Sequence, residues 1–280
     1  MEKGERAMKG FTLGQYYPGT SPIHHLDPRA KIILGILAIV CSFLCKTLFS
    51  FCMLEVLVLL LVILSRIPVR LLLRALRPVL FILLFTSLVN IFMTRGENLL
   101  LEYGIFHIYE EGLWNALFMV MRITSLILMT SIFLTYTTTP IALTDGLEQL
   151  LSPLKKLHVP VHDFAMMITI AMRFIPTLAE ETERIMNAQR ARGVNFSTGG
   201  LIKRVRSLIP ILIPLFVSAF NRAFDLASAM ECRCYHGGEG RTRLKVLRYN
   251  VWDFVAILLL IGIGVGLVFA NRLTFGGAIQ

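Results

Sequence analysis

Five apolar runs in this chain are long enough, or nearly so, to cross a lipid bilayer, and no other feature limits its fold so strongly. A spanning helix needs about 20 mostly apolar residues. Its backbone polar groups must be satisfied internally, so such runs fold as helices. The runs cover residues 32–44, 48–64, 78–93, 113–136 and 251–270. The first is short and is expected to extend a little at both ends. It is followed almost at once by the second, which predicts a tight helical hairpin. Gly262, Gly264 and Gly266 in the last run predict close helix contact.

Composition agrees. Of 280 residues, 55% are hydrophobic and only 16% charged, with a mean hydropathy of +0.69. Soluble domains carry about 25% charged residues. The net charge of +10 is explained by Lys and Arg flanking the spans, not by nucleic acid. No short apolar core followed by small residues marks a cleavable signal in the polar first thirty residues. Cys41, Cys45 and Cys52 lie in apolar runs and read as small hydrophobes. Cys232 and Cys234 lie in a stretch expected to be cytosolic, where disulfides are rare. With His236 they lack a second cluster to complete a tetrahedral metal site.

Basic residues in the short loops set the orientation. Arg66, Arg70, Arg74 and Arg77 follow the second run, whereas the loop after the third pits Arg95 against Glu97, Glu102, Glu110 and Glu111. The first loop is therefore expected inside and the second outside. The N-terminus and residues 137–250 then lie in the cytoplasm, and the C-terminus lies outside. The expected fold class is an all-α integral membrane bundle of about five transmembrane helices with long cytosolic or interfacial helices. Its segments are 1–136, 137–250 and 251–280. Arg66, Arg70 and Arg74 form one stripe if the third helix continues to Arg77, and this reads as a headgroup-facing surface. Arg122 sits within the fourth run and is a functional candidate by default, but it lies about ten residues from the run's outer end, so snorkelling or pairing within the bundle is an equal reading. Glu55 in the second run is the candidate partner.

Within 137–250, two apolar stretches are broken by charge and proline. Residues 164–175 contain Arg173 and end at Pro176, and residues 207–220 contain Pro210 and Pro214 between basic flanks. Both are read as surface-lying or packed helices, not spans. Pro176 then starts a helix over residues 176–192, with early Glu180, Glu181 and Glu183 and late Arg184, Arg190 and Arg192, an order that suits the helix dipole. A second helix is expected from about Leu215 to Arg233, with Phe216, Phe220, Ala223, Ala227 and Met230 on one apolar face. Gly193 ends the first in a left-handed conformation. Gly237 and Gly238 close the second segment.

These two helices end alike. Ala191-Arg192-Gly193 and Cys232-Arg233-Cys234 lie 41 residues apart, in the matching frames Ala188-Gln-Arg-Ala-Arg-Gly and Ala229-Met-Glu-Cys-Arg-Cys. A single arginine there would read as a cap for helix carbonyls. Two in one frame read as guanidinium tips that form paired hydrogen bonds with carboxylates in a partner's grooves. Two tips imply two partner subunits or one dimer.

Other chemistry is missing from the sequence. There is no P-loop, no His-Glu-x-x-His and no Gly-x-Ser-x-Gly. No catalytic residue, metal site or cofactor is assigned. His24, His25 and Asp27 read as parts of a structured loop, with Asp27-Pro28 starting the first helix.

The run Pro18-Gly-Thr-Ser-Pro-Ile-His-His-Leu-Asp-Pro-Arg-Ala-Lys31 and the two arginine frames resemble the transmembrane T component of energy-coupling factor (ECF) transporters. The resemblance runs from about Gln15 to the fifth apolar run. Ala191-Arg192-Gly193 matches the family's coupling signature, while Cys232-Arg233-Cys234 keeps only its arginine. The resemblance implies a non-catalytic subunit of an ATP-driven importer of a vitamin or metal ion, in a prokaryotic cell membrane. It would join two cytosolic ABC-type ATPases to a membrane-embedded substrate-binding subunit. Arg192 and Arg233 would each enter one ATPase. A face of the 207–230 helix, including Leu212, Leu215, Phe216 and Phe220, would grip the substrate-binding subunit. Unequal tips suit two non-identical ATPases. The competing reading is a self-contained channel or secondary transporter with Arg122 and Glu55 on its pathway.

Overall fold

The computed structural model describes residues 16–94, 99–103, 106–157, 160–194, 196, 200–237 and 247–274. In chain order these form α1 (Pro28–Leu44), α2 (Leu48–Ser65), α3 (Val69–Met93), β1 (Leu99–Tyr103), β2 (Phe106–Tyr109), α4 (Glu110–Thr130), α5 (Pro140–Leu150), α6 (Val161–Ala191), α7 (Leu201–Glu231) and α8 (Val251–Thr274). The fold is an all-α helical membrane bundle. The strands form one small antiparallel hairpin with a register shift between Leu99 and Leu101. Arg95 and Glu97, on which part of the orientation argument rests, lie outside the described residues.

The described residues form two compact units, 16–150 with 247–274, and 151–237. In the first, Asp27 caps α1, its Oδ1 accepting from Arg29 N at 2.9 Å, with Pro28 at the first helical position. Helix α1 lengthens only at this end, stopping at Leu44. Thr47 caps α2, and Arg66 ends it in the left-handed region (φ 53°). Pro68 then restricts its predecessor to extended backbone. Arg66 is thus a cap outside α3 and leaves the predicted stripe, which keeps exposed Arg70, Arg74 and Arg77.

Helices α1 and α2 do not form the predicted close hairpin. Helix α1 packs on α8, α5 and α4, and α2 packs on α4 and α8, while α3 packs on α4. Polar ties explain this. At one end of α8, Asp253 (1% exposed) accepts from Asp27 N at 2.8 Å and Asn250 N at 2.7 Å. At the other end, the Asn271 side chain donates to Leu44 O and accepts from Ser50 Oγ, both at 2.6 Å. Helix α8 therefore runs parallel to α1 along its whole length. Gly264 and Gly266 face Cys41 and Met53, as close packing requires, but Gly262 faces no neighbour within 4 Å. Phe51, Leu54, Met129, Ile132 and Leu267 form the dry centre.

Helix α4 continues into a π-helical turn over Ser131–Tyr136. The N-terminal loop latches onto this turn. Tyr17 N donates to Tyr136 O at 2.9 Å, and Lys31 Nζ donates to Thr137 O at 2.8 Å and His24 O at 3.1 Å.

In the second unit, α6 and α7 are each continuous over 31 residues. This corrects the expected helix starts at Pro176 and Leu215. Pro176, Pro210 and Pro214 all lie inside helices. Each proline costs one backbone bond, so the carbonyls of Met172, Arg206 and Pro210 lack their helical donor. With the flanking turns joined, α6 and α7 become long and apolar enough to cross a membrane, as do α2, α3, α8 and α4 with its π turn.

Candidate functional site: two matching arginine tips

Helices α6 and α7 pack antiparallel. Glu181 of α6 pairs with Arg222 of α7. Farther along, Tyr235 Oη donates to Met166 Sδ at 3.0 Å. Between them Ile170, Phe174 and Leu178 face Ala223, Ala227 and Met230 across a shallow groove that reaches past the ion pair to Ala219. Small alanines on one side let the helices approach closely. The predicted single apolar face of α7 is therefore two faces. Ala223, Ala227 and Met230 turn toward α6, while Phe216 and Phe220 turn outward.

Both helices end in the same hydrogen-bonded loop. After α6, Gly193 N donates to Arg190 O at 3.0 Å and Val194 N to Gln189 O at 3.0 Å. After α7, Cys234 N donates to Glu231 O at 2.8 Å and Tyr235 N to Met230 O at 3.0 Å. Each is a Schellman closure, with one left-handed residue just past the helix. That residue is Gly193 (φ 83°) in the first and Cys234 (φ 54°) in the second. Every partner in one loop lies 41 positions from its counterpart in the other. Arg192 and Arg233 occupy the same place, immediately before the left-handed residue, and both are exposed.

Glycine and cysteine differ here in cost. A Cβ at Gly193 would meet nothing within 4 Å, so this glycine serves backbone conformation, not space. Left-handed backbone costs an L-residue roughly 1–2 kcal/mol. The α7 tip carries that strain at Cys234. The closing residue is therefore Cys234 and not the expected Gly237–Gly238 pair. Gly237 lies beyond it with φ 96°, and Gly238 is outside the described residues.

The tips also share a fixed relation to the crossing. Arg192 lies eleven residues past Glu181, and Arg233 eleven past Arg222. At 1.5 Å per helical residue, each tip stands about 16 Å from the ion pair, in opposite directions along the crossed pair. Sequence reasoning missed this ion pair. Extending the 41-residue frame match back from the tips would have found it, because Glu181 and Arg222 are counterparts in that frame.

The outward face of α7 is apolar. Leu212, Phe216 and Phe220 are 58%, 66% and 51% exposed, while Leu215 is half-buried. The Phe216 and Phe220 rings lie 4.7 Å apart. Ile213, Val217 and Phe224 extend this surface.

The other candidates have structural partners. Arg122 donates to Cys45 O at 3.0 Å, over the rings of Phe43 and Phe51, so it caps the end of α1. Glu55 instead accepts from Ser125 Oγ at 2.8 Å, and the two groups do not take each other as partner. His24 has both ring nitrogens occupied. Nε2 donates to Tyr17 O at 2.9 Å, and Nδ1 accepts from Ser21 Oγ at 2.6 Å. Burial holds this imidazole below its ordinary value. Gly19 makes room for it, since a Cβ there would lie 2.9 Å from the ring. Among the described residues no group of three His, Cys, Asp or Glu is placed to hold a metal ion. Cys232 and Cys234 are free thiols, both exposed.

A multi-pass helical membrane bundle that carries a crossed pair of arginine-tipped helices is the class of protein defined by these features. The CbiQ family profile, described as cobalt transport protein, matches residues 19–244. The energy-coupling factor transporter transmembrane protein EcfT of Ruminiclostridium cellulolyticum is 50% identical over 246 residues, covering 88% of this chain and 91% of that protein. The protein of the same name from Thermosediminibacter oceani is 49% identical, covering 90% and 94%. That of Bacillus subtilis is 47% identical, covering 91% and 96%. The chain belongs to the CbiQ family of transmembrane components of energy-coupling factor transporters.

Proposed function

We propose that this chain is a non-catalytic coupling subunit of an ATP-driven importer. Arg192 and Arg233 each enter a groove on one of two ABC-type ATPases, with the small neighbours Ala191, Gly193, Cys232 and Cys234 allowing entry. The apolar face Leu212, Leu215, Phe216 and Phe220 grips a membrane-embedded substrate-binding subunit. ATP-driven closure of the ATPases moves the tips, and the crossed helices pass that motion to the bound subunit, which releases a vitamin or metal ion inward.

One observation carries this reading: two exposed arginines on loops closed by the same pair of backbone bonds, each eleven residues past one partner of a single ion pair. Such a pair fits a partner with two similar grooves related by a two-fold, as a pair of ATPases provides. The unequal tips, glycine in one and cysteine in the other, favour two non-identical ATPases. The parallel course of α1 and α8 supports equal entry sides for the two, with a cytoplasmic N-terminus and an external C-terminus in a prokaryotic cell membrane.

The test is co-purification. Arg192→Glu and Arg233→Glu each weaken retention of the co-expressed ATPases, and Phe216→Glu with Phe220→Glu releases the substrate-binding subunit while the ATPases stay bound. Retention of every partner in both sets of variants would refute the assignment.

A further inference from the structure

We infer that the Glu181–Arg222 ion pair is the pivot that sets the spacing of the two arginine tips. This rests on the docking role proposed above. The shift of 41 residues that carries Arg192 onto Arg233 also carries Glu181 onto Arg222. In two antiparallel helices related by a local two-fold, a residue meets its own counterpart only at the axis. The ion pair is such a meeting of counterparts, eleven residues from each tip. Opposite charges at the two counterpart positions make the meeting attractive, where identical residues would repel.

The side chains of this pair are 35% and 27% exposed, so solvent screens them. Such a pair adds little to stability. Its position matters more. In the groove beside it the α7 side offers Ala219, Ala223 and Ala227 to the larger Ile170, Phe174 and Leu178 of α6, and these small side chains give little to lock the register. A slip of one helical turn would displace one tip relative to the other by about 5 Å, enough to lift an arginine from its groove. Arg222 also borders a second hollow, with Ser218, Asn221 and Asp225. Asp225 is the nearby carboxylate that takes over if Glu181 is lost, and this would draw Arg222 off the crossing. Glu181 and Arg222 are thus positioning residues, acting on the ATPases only through Arg192 and Arg233.

The primary experiment uses the full chain alone, in lipid nanodiscs. Cys52→Ser and Cys232→Ser leave Cys234 as the exposed thiol, Val194→Cys adds the second, and the distance between nitroxide labels on the two is measured by pulsed electron resonance. With the native pair, a single narrow distribution centred at about 30–35 Å is expected from the helical rise. Glu181→Arg or Arg222→Glu broadens it, and the double exchange narrows it again. If a reversal fails to fold, Glu181→Gln serves in its place and broadens the distribution, while Arg222→Lys keeps it narrower than Glu181→Gln does. An unchanged distribution in the single variants, or no recovery in the double exchange, overturns the pivot.

Uptake with co-expressed ATPases is the second readout. Each single reversal lowers it at least about five-fold, and the double exchange returns it to within about two-fold, as expected for directly coupled sites. A parallel loss of thermal stability with an unaltered distance would mark a merely structural pair and overturn the proposal. Because the distance is read without partners, failure of the unmodified chain to retain ATPases would overturn the docking role and leave the distance result to decide the pivot.

Discussion

The two units of this molecule treat their apolar residues in opposite ways. In the bundle of α1–α5 and α8, the membrane-length stretches of α2, α4 and α8 are 39%, 28% and 28% buried, and α3 alone, at 0%, lies wholly at the surface; in the α6–α7 unit both figures are low, 11% and 6%. The bundle also stitches its ends with buried polar bonds, through Lys31, Asp253 and Asn271. Among the described residues, helices α6 and α7 share one cross-helix ion pair and one shallow groove, and present phenylalanines outward. The first unit is thus built to hold itself together. The second is built to be completed by something else, with arginine at its ends and an apolar flank between.

Substitutions that strike one unit and spare the other sharpen this contrast. The largest effect is expected at Asp253. Asp253→Ala strips the buried N–H of Asp27 and the part-buried N–H of Asn250 of their acceptor, and should cost about 3 kcal/mol, at the scale of hydrogen bonds to a charged group. Thermal unfolding in detergent would read it. If Asp253→Ala unfolded no earlier than the parent, the stitched bundle would be the wrong description.

Next come the tips. Gly193→Ala should destabilise the α6 end by about 1 kcal/mol, and Cys234→Gly should relieve about as much at the α7 end. Amide exchange of the last helical turns measures both. Equal protection in parent and variants would mean that the two loops do not differ in strain.

A smaller effect on the fold is expected at the α7 flank. Phe216 is already 66% exposed, so Phe216→Ala should move chain stability by less than about 0.5 kcal/mol. Retention of the substrate-binding subunit should fall nonetheless. A large drop in stability would show that the flank is internal packing.

The mildest is a pH effect in the N-terminal loop. Burial holds the His24 imidazole below the ordinary 6.5, so the unfolded chain binds the proton more readily. Its contribution is therefore complete above pH 6.5 and is lost as the pH falls through the depressed value. Proteolysis of the loop at pH 5 against pH 7.5, compared with Gln at position 24 (His24→Gln), checks it. The parent should become more cleavable at low pH and the variant should not change.

Much of the bundle was legible because its signals are local. Apolar runs of spanning length, Asp27-Pro28 before α1 and glycine after Arg192 each declare themselves over a few residues. The continuity of α6 and α7 was not legible. Proline forfeits a helical bond, so Pro176, Pro210 and Pro214 read as starts or breaks, and only the packing of the two long helices against each other outweighs that cost. Nor was the partner choice inside the bundle. Helices α1 and α2 are adjacent in sequence, yet Asp253 and Asn271, more than two hundred residues away, decide that α8 lies along α1. At the site, the arginines and their common frame were visible in the sequence, whereas the left-handed Cys234 and the ion pair at the crossing needed the backbone.

The central claim, that the exposed unit engages two ATPases through its tips, is most directly tested by the double variant Arg192→Glu with Arg233→Glu, purified with co-expressed ATPases and assayed for ATP-driven uptake. The account predicts a folded chain with unchanged thermal stability, no ATPase retained and no uptake. Full retention of both ATPases together with parental uptake would contradict it.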